Sequence, residues 1–366
     1  SPLAGPFLGG YLTDYFSWQW VFIINIPLCM LSFLLVKFFV PSDVPQKNNK
    51  KKKFDIIGYI SIVIAMACMQ IVLDKGQQYN WFDTPWICYL TGICIFSFIF
   101  FYVWELEYSN PVIDIRVFKD RNFLFGTICS SFINVMIYST LLLVPMFVQS
   151  LLGYSPSMAG LTMFPRAVIC FIGLLVVGEI SKYVRARHLA IVGLLIMGVS
   201  ILMLTRMNLT SSIDSIILPN ILLCIGVPTA FVPITALSFQ TLPASKNADA
   251  AALHALFKNV VTAIATAVSA TFIARVSQVH QNYLVGDLSH HNAMFRYKLM
   301  MLHNKFLIHY PEVVAARKAN GMLYKELLQQ ARLASFYDVF ALLAFLCIII
   351  IPVLYLLKIK KVKNVK

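Results

Sequence analysis

The sequence predicts an all-α, multi-pass membrane protein, and three observations carry that prediction. Apolar residues make up 59% of the 366-residue chain against 13% charged, and mean hydropathy is +0.76. Apolar windows of about 20 residues, enough to cross a ~30 Å hydrocarbon core at ~1.5 Å per residue, recur along the whole chain. Lysines and arginines gather on one side of those windows, which turns a net charge of +14 from a nucleic-acid signal into a topology signal.

A partial span opens the chain near residue 5, and nine full spans follow it. They cover residues 19 to 40, 54 to 74, 84 to 105, 122 to 150, 158 to 180, 188 to 206, 215 to 240, 256 to 280 and 334 to 357. The basic set comprises Lys47 and Lys50 to Lys53, then Arg116, Lys119 and Arg121, then Lys182, Arg185 and Arg187. Lys246, Lys258 and the tail lysines Lys358, Lys360, Lys361, Lys363 and Lys366 complete it, whereas the short loops opposite hold only Lys75 and Arg206. This bias places the basic side and the C-terminus in the cytoplasm of a cell whose inner membrane the chain spans. Residues 281 to 333 read as a long external loop, a class of loop that crosses largely regardless of its charge. Trp18, Trp20, Trp81 and Trp86 fall near the outer boundaries, where an amphipathic ring is favoured.

Other chemistries find little support. All eight cysteines lie in or beside apolar segments, as small apolar residues, with no disulfide framework or metal-ligand spacing. Residues 281 to 333 and their border hold His280, His290, His291, His303 and His309, none spaced i, i+4 as paired metal ligands on a helix require. No apolar stretch has the pattern of a cleavable signal peptide. With no His, Asp, Glu, Cys or Ser cluster converging on one membrane face, the expectation is a non-enzyme without cofactor or metal.

Polar residues inside spans are the candidates for function. On 122 to 150, Thr127, Ser131, Asn134, Tyr138, Pro145 and Gln149 share a narrow stripe at 100° per residue. Such a stripe lines either a water-filled cavity or a neighbouring polar helix face. Arg166, after Pro165, is deep enough that leaving it unpaired costs at least ~2.5 kcal/mol, so it should face the bundle interior with a partner or a task; the alternative is that it snorkels outward or binds carbonyls freed by a proline kink. It would suit an anionic substrate. Pro219, Pro228 and Pro233 with Gly226 mark 215 to 240 as a kinked gating helix or a bent packed one. Ala263, Ala267, Ala270 and Ala274 form a row suited to close helix packing. His254 and Lys258, one turn apart at the mouth of the same helix, are candidates for gating or for anchoring at the interface.

The opening Gly5-Pro6-x-x-Gly9-Gly10, with Asp14, Trp18-x-Trp20 and Asn25-x-Pro27, resembles the antiporter motif of fourteen-span drug/proton antiporters, the EmrB/QacA-like branch of the major facilitator superfamily. Asn110-Pro111-Val112-Ile113-Asp114, Gly153-Tyr154-Ser155-Pro156 with Ala159-Gly160, and Gln330-Ala331 before Phe336-Tyr337-Asp338-Val339-Phe340 resemble later family segments in matching order. The resemblance puts the motif on the fifth span and implies an N-terminally truncated facilitator fold. Residues 1–40 would end the N-terminal bundle, 41–121 would hold the linker and two central helices, and 122–366 a full six-helix bundle. It further implies proton-coupled export of amphipathic drugs or toxic organic compounds, with the motif limiting leak between bundles and a periplasmic adaptor as partner. Asp74, Asp83, Glu105, Glu179 and Asp338 all lie near span ends, so the proton-carrying acid is expected on a first span that precedes this chain. The chain alone is then expected to be an inactive fragment. A non-transporting membrane remnant or scaffold is the alternative.

Overall fold

The structure, a computed structural model, describes residues 5–39, 55–108, 111–287 and 292–357. The basic linker lysines, the tail lysines, Asn110, His290 and His291 lie outside the described residues, and only the backbone of Pro6 and Phe7 is described. In a bilayer every backbone donor and acceptor must be satisfied within the protein, which leaves helices as the way to cross for a chain of this composition. Nine helical segments among the described residues are long and apolar enough to do so.

The chain opens with α1 (Gly5–Tyr15), then α2 (Trp20–Ile23) and α3 (Asn25–Phe39), which together make the first full span. The break between α2 and α3 sits just before Pro27, whose missing N–H interrupts the ladder; the Asn25 side chain donates to the Val21 carbonyl at 3.0 Å. A central hairpin follows, α4 (Ile56–Gly76) and α5 (Pro85–Glu107), with Asp55 capping α4 through a bond from Gly58 N at 2.9 Å. Its turn packs the Trp81 ring onto Gly76, where a Cβ would stand 2.6 Å from the indole.

The remaining chain forms one bundle. It comprises α6 (Arg121–Ser150), α7 (Pro156–Ile180), α8 (Ala186–Leu204), α9 (Ile213–Phe239), α10 (Asn247–Asp287) and α12 (Glu312–Leu354), with a short α11 (Ala293–Leu307) between the last two. Their shared core includes Ile133, Met136, Phe147, Leu194, Met197, Ile201, Phe336 and Phe340. Asp120 starts α6 by accepting from Phe123 N at 2.9 Å, and the Thr241 hydroxyl from the α9–α10 turn donates to the same carboxylate at 2.7 Å. The nearby Lys246–Asp114 pair at 3.1 Å ties the stretch after α5 to the start of α10. Val260 and Ala263 of α10 pack against Cys68, Met69 and Cys94, so the central hairpin leans on this bundle through one end of the predicted alanine row.

Small residues set the closest helix crossing. A Cβ on Gly193 of α8 would lie 2.8 Å from Gly226 O, and one on Gly226 of α9 would lie 2.8 Å from Gly193 O. Because lipid is as apolar as the side chains, backbones that approach this closely are held by dispersion and weak polar contacts rather than by water exclusion. Despite Pro219, Pro228 and Pro233 inside it, α9 runs as one unbroken helix.

The predicted external loop 281–333 is corrected by the structure, because it is mostly helical. α10 continues to Asp287 and α12 begins at Glu312, each more than 40 residues long and about 60 Å at ~1.5 Å per residue, twice the hydrocarbon thickness. The α10 end pairs with α12 through Gln281 to Tyr324 at 2.8 Å and His280 to Asp338 at 2.7 Å, and α11 pairs with α12 through Lys298 to Glu326 at 2.7 Å. The high charge of the segment hid a helical repeat, Ala315, Ala319, Leu323, Leu327 and Ala331, whose side chains are all buried.

α1 sits against the start of α7. The Asp14 carboxylate accepts from Ser157 N at 2.8 Å, adding an anion to an α7 N-terminus already capped by Ser155. Gly10 passes so close to the α7 backbone that a Cβ would stand 2.5 Å from Pro156 O. Gly5 and Gly9 have open space where a Cβ would point, so only Gly10 of these three is at a contact that needs glycine. Gly153, with φ of 72°, makes the left-handed turn that brings Ser155 into its capping position.

Two outcomes follow from this packing. Gly193→Val should force α8 from α9, destabilising the bundle by about 1–3 kcal/mol as overpacking does, while Gly92→Ala, which meets no atom within 4 Å, should leave the thermal transition in detergent unchanged. Asp14→Ala should raise backbone hydrogen exchange at residues 9–16 and 155–160 and leave exchange in α8 and α9 as it was; unchanged exchange at both segments would show that the carboxylate does not seat α1.

Candidate functional site

Between α6, α7, α9 and α10 lies a cavity of about 420 Å³. Three of the predicted substrate residues, Asn134, Tyr138 and Arg166, line it together with Lys258, which the sequence pointed to as a gating or anchoring group. The rest of the wall is mainly apolar, with Ile137, Leu141, Met163, Leu174, Val227 and Phe231 among it. This size and mixture suit a small organic ligand held by apolar area and oriented by a few polar groups.

Arg166 lies ten residues into α7, about 15 Å along the helix axis. It is buried, with 6% of its surface exposed, and it does not snorkel outward. One guanidinium nitrogen, Nη2, donates to Ile137 O and to Thr140 Oγ1, both at 3.3 Å on α6. Thr140 is prepared for this contact because its own hydroxyl donates back to Met136 O at 2.7 Å, leaving its lone pairs toward the arginine. The other terminal nitrogen, Nη1, is buried without a hydrogen-bond partner. A charged donor left open inside an apolar wall is costly, so the site is short of an acceptor. Among the described residues, two cations, Arg166 and Lys258, line this cavity and no carboxylate does.

The polar stripe of α6 divides into three stations. At one end Ser130, beside the predicted stripe, meets His254 Nε2 at 2.8 Å and donates to Thr127 O at 3.0 Å. Asn134 Nδ2 donates to Ser130 O at 2.8 Å, which links this buried pair to the cavity wall. In the middle, Asn134 and the half-buried Tyr138 face the cavity. At the far end Pro145 and the exposed Gln149 line a separate cleft of about 280 Å³ with Gly9, Gly10, Thr13, Pro156, Ala159 and Gly160.

Ser131 is buried with an unpartnered hydroxyl and is not part of the cavity wall, and Gln149 belongs to the cleft under α1 rather than to the cavity. His254 is buried, seven residues into α10, with its ring against Phe239 and its Nε2 on Ser130. Pro228 packs at the α7–α9 crossing, where its Cγ is 2.9 Å from the position of a Cβ on Gly173, while Pro233 is buried in the bundle. Trp18 is largely exposed at 63%, with its ring edge-on to Phe22. Sequence reasoning missed Ser130, Thr140, Cys170 and Cys224. The first two lie just off the stripe, and cysteine in an apolar segment carries no polar signal.

The comparisons with known proteins agree with this architecture. The probable multidrug resistance protein EmrY of Escherichia coli is 28% identical over 81% of this chain and 57% of its own length. The multidrug export protein EmrB of the same species is 24% identical over 93% of this chain and 65% of its own. The fatty acid resistance protein FarB of Neisseria gonorrhoeae is 26% identical over 80% of this chain and 57% of its own. The chain thus spans less than two thirds of the length of these relatives. The profile of the Major Facilitator Superfamily matches residues 1–266, and the chain, a multi-pass membrane protein similar to EmrB-like drug exporters, belongs to that superfamily.

Proposed function

We propose that this chain supplies the substrate-binding bundle of a proton-coupled exporter of amphipathic organic compounds, with a preference for those carrying an anionic head group. The observation that carries the reading is the cavity at Arg166, an apolar enclosure with two cations and no acid on its wall. An aliphatic or aromatic body would occupy the Ile137, Leu141, Met163 and Phe231 side, and a carboxylate or similar head would meet the open Nη1 of Arg166, with Lys258 adding charge from α10. Similarity to multidrug exporters and to a fatty acid resistance protein supports an amphipathic substrate.

The cleft lined by Gly9, Gly10, Pro145, Gln149 and Pro156 is then the seam between the first bundle and this one, and Asp14 on the α7 N-terminus is a contact that holds it shut on the external side. Facilitator transport proceeds by rocking of two bundles about a central site. In this chain the buried pair of His254 and Ser130, one turn from Asn134, ties α10 to α6 beside the cavity. The basic side, including Lys182, Arg185 and Arg187, faces the cytoplasm of an inner membrane. The cap formed by α11 and the overhanging ends of α10 and α12 is then external, and exposed Met294, Tyr297 and Met301 on it offer a contact to a periplasmic adaptor.

Export is tested with this chain joined to the preceding spans of an EmrB-like relative and produced in cells depleted of their own exporters. The expected outcome is efflux of a fluorescent fatty acid above vector that collapses with a protonophore; efflux equal to vector would overturn the reading in favour of a non-transporting scaffold. Binding is tested on the purified chain. Arg166→Ala should weaken fatty-acid binding about tenfold or more, because a hydrogen bond to a charged group contributes ~1.5–3 kcal/mol, and Arg166→Lys should restore part of it. Equal loss for a cationic dye of the same size would mean that Arg166 shapes the cavity rather than recognising charge.

A further inference from the structure

We propose that Cys170 and Cys224 form a dithiol site within the cavity for trivalent arsenicals, which bridge two neighbouring thiols. Both cysteines line the cavity, one from α7 and one from α9. The helices cross closely at this level, since a Cβ on Gly173 would lie 3.5 Å from Cys224 O and 2.9 Å from Pro228 Cγ. That crossing puts Cys170, three residues before Gly173, beside Cys224 on the cavity wall. Cys170 is partly open, whereas Cys224 is buried, and Arg166 lines the same cavity.

The chemistry needs this arrangement. An arsenical of the type R–As=O reacts with two thiols to give R–As(S–)₂ and one water. Two S–As bonds form, the As=O bond breaks, and both thiol protons leave on the oxygen. Arsenic stays trivalent, so no oxidant or reductant takes part. The Arg166 cation stabilises the negative charge that sulfur carries while it attacks, and the apolar wall accommodates the organic group. A lone thiol gives an adduct that water and competing thiols readily reverse, whereas closure at two sulfurs on fixed helices makes the reverse step intramolecular and unfavourable. The inference rests on the cavity that the export reading uses, but it does not require transport.

The test uses purified protein in which Cys68 and Cys94, which neighbour each other away from this cavity, are both replaced by Ala. Phenylarsine oxide should add one phenylarsenic group per chain by intact mass, stable to mercaptoethanol and removed by 2,3-dimercaptopropanol. Cys170→Ala and Cys224→Ala should each abolish that stable adduct while leaving the thermal transition near the parent value. Absence of the adduct in the parent, or its persistence in either variant, would overturn the proposal. Should a variant fail to fold, dibromobimane decides on the parent, because it fluoresces strongly once both of its arms have alkylated thiols a few ångströms apart; a parent that stays dark would refute the pairing. A stable adduct in a protein that exports nothing would uphold the dithiol site and remove the export reading alone.

Discussion

The bundle is organised around a guanidinium that must sit among neutral partners in an apolar interior. Arg166 is buried, and among the described residues no carboxylate on the cavity wall neutralises it. Its charge is therefore spread over dipoles, the Ile137 carbonyl and the Thr140 hydroxyl of α6. This solution fixes several features together. It requires α6 and α7 to face each other at this level and Thr140 to turn its hydrogen inward to Met136. It also keeps a void beside the arginine, because a tightly packed apolar neighbour at Nη1 would bury an unmet donor permanently. A cavity at this place is thus the cheaper outcome for the fold as well as the useful one for a ligand.

Around that centre, helix packing follows the rule of a medium that offers no hydrophobic drive between spans. Contacts come from backbone approach, at Gly193 and Gly226, at Gly173 and Pro228, and at Gly10 and Pro156. These three places differ in kind. The first lies within the bundle and fastens α8 to α9. The second borders the cavity and brings two thiols together. The third joins α1 to α7 and carries, in the Asp14 bond to Ser157 N, a directional contact that a rigid rotation would break as a unit.

Spans were the most legible part of the sequence, because hydropathy over a bilayer thickness leaves little choice of structure. Of the nine predicted spans, the first corresponds to α2 with α3 and the other eight to one long helix each, and the errors concern where helices stop. Hydropathy reports the edge of the membrane, not the edge of the helix, so the charged extensions of α10 and α12 were read as loop although Ala315, Ala319, Leu323 and Leu327 repeat at helical spacing. Part of the site was legible for a related reason. A polar residue inside a span is conspicuous, and this picked out Asn134, Tyr138, Arg166 and Lys258, which share one cavity. The same logic misplaced Ser131 and Gln149, since a stripe on one helix says nothing about which neighbour covers each turn. It passed over Thr140 and Cys224 because their importance comes from α7, a distant stretch of chain, rather than from their own surroundings.

The buried pair of Ser130 and His254 shows how such a stripe can hold two states. Ser130 has a single hydroxyl proton and two acceptors in reach, Thr127 O on its own helix at 3.0 Å and His254 Nε2 on α10 at 2.8 Å. If the proton points to Thr127 O, the imidazole must itself carry hydrogen on Nε2 and donate to the serine. If the imidazole loses that hydrogen, the serine proton must swing to it and the Thr127 carbonyl loses its extra bond. Both arrangements use the same heavy-atom positions, so the exchange needs no helix movement.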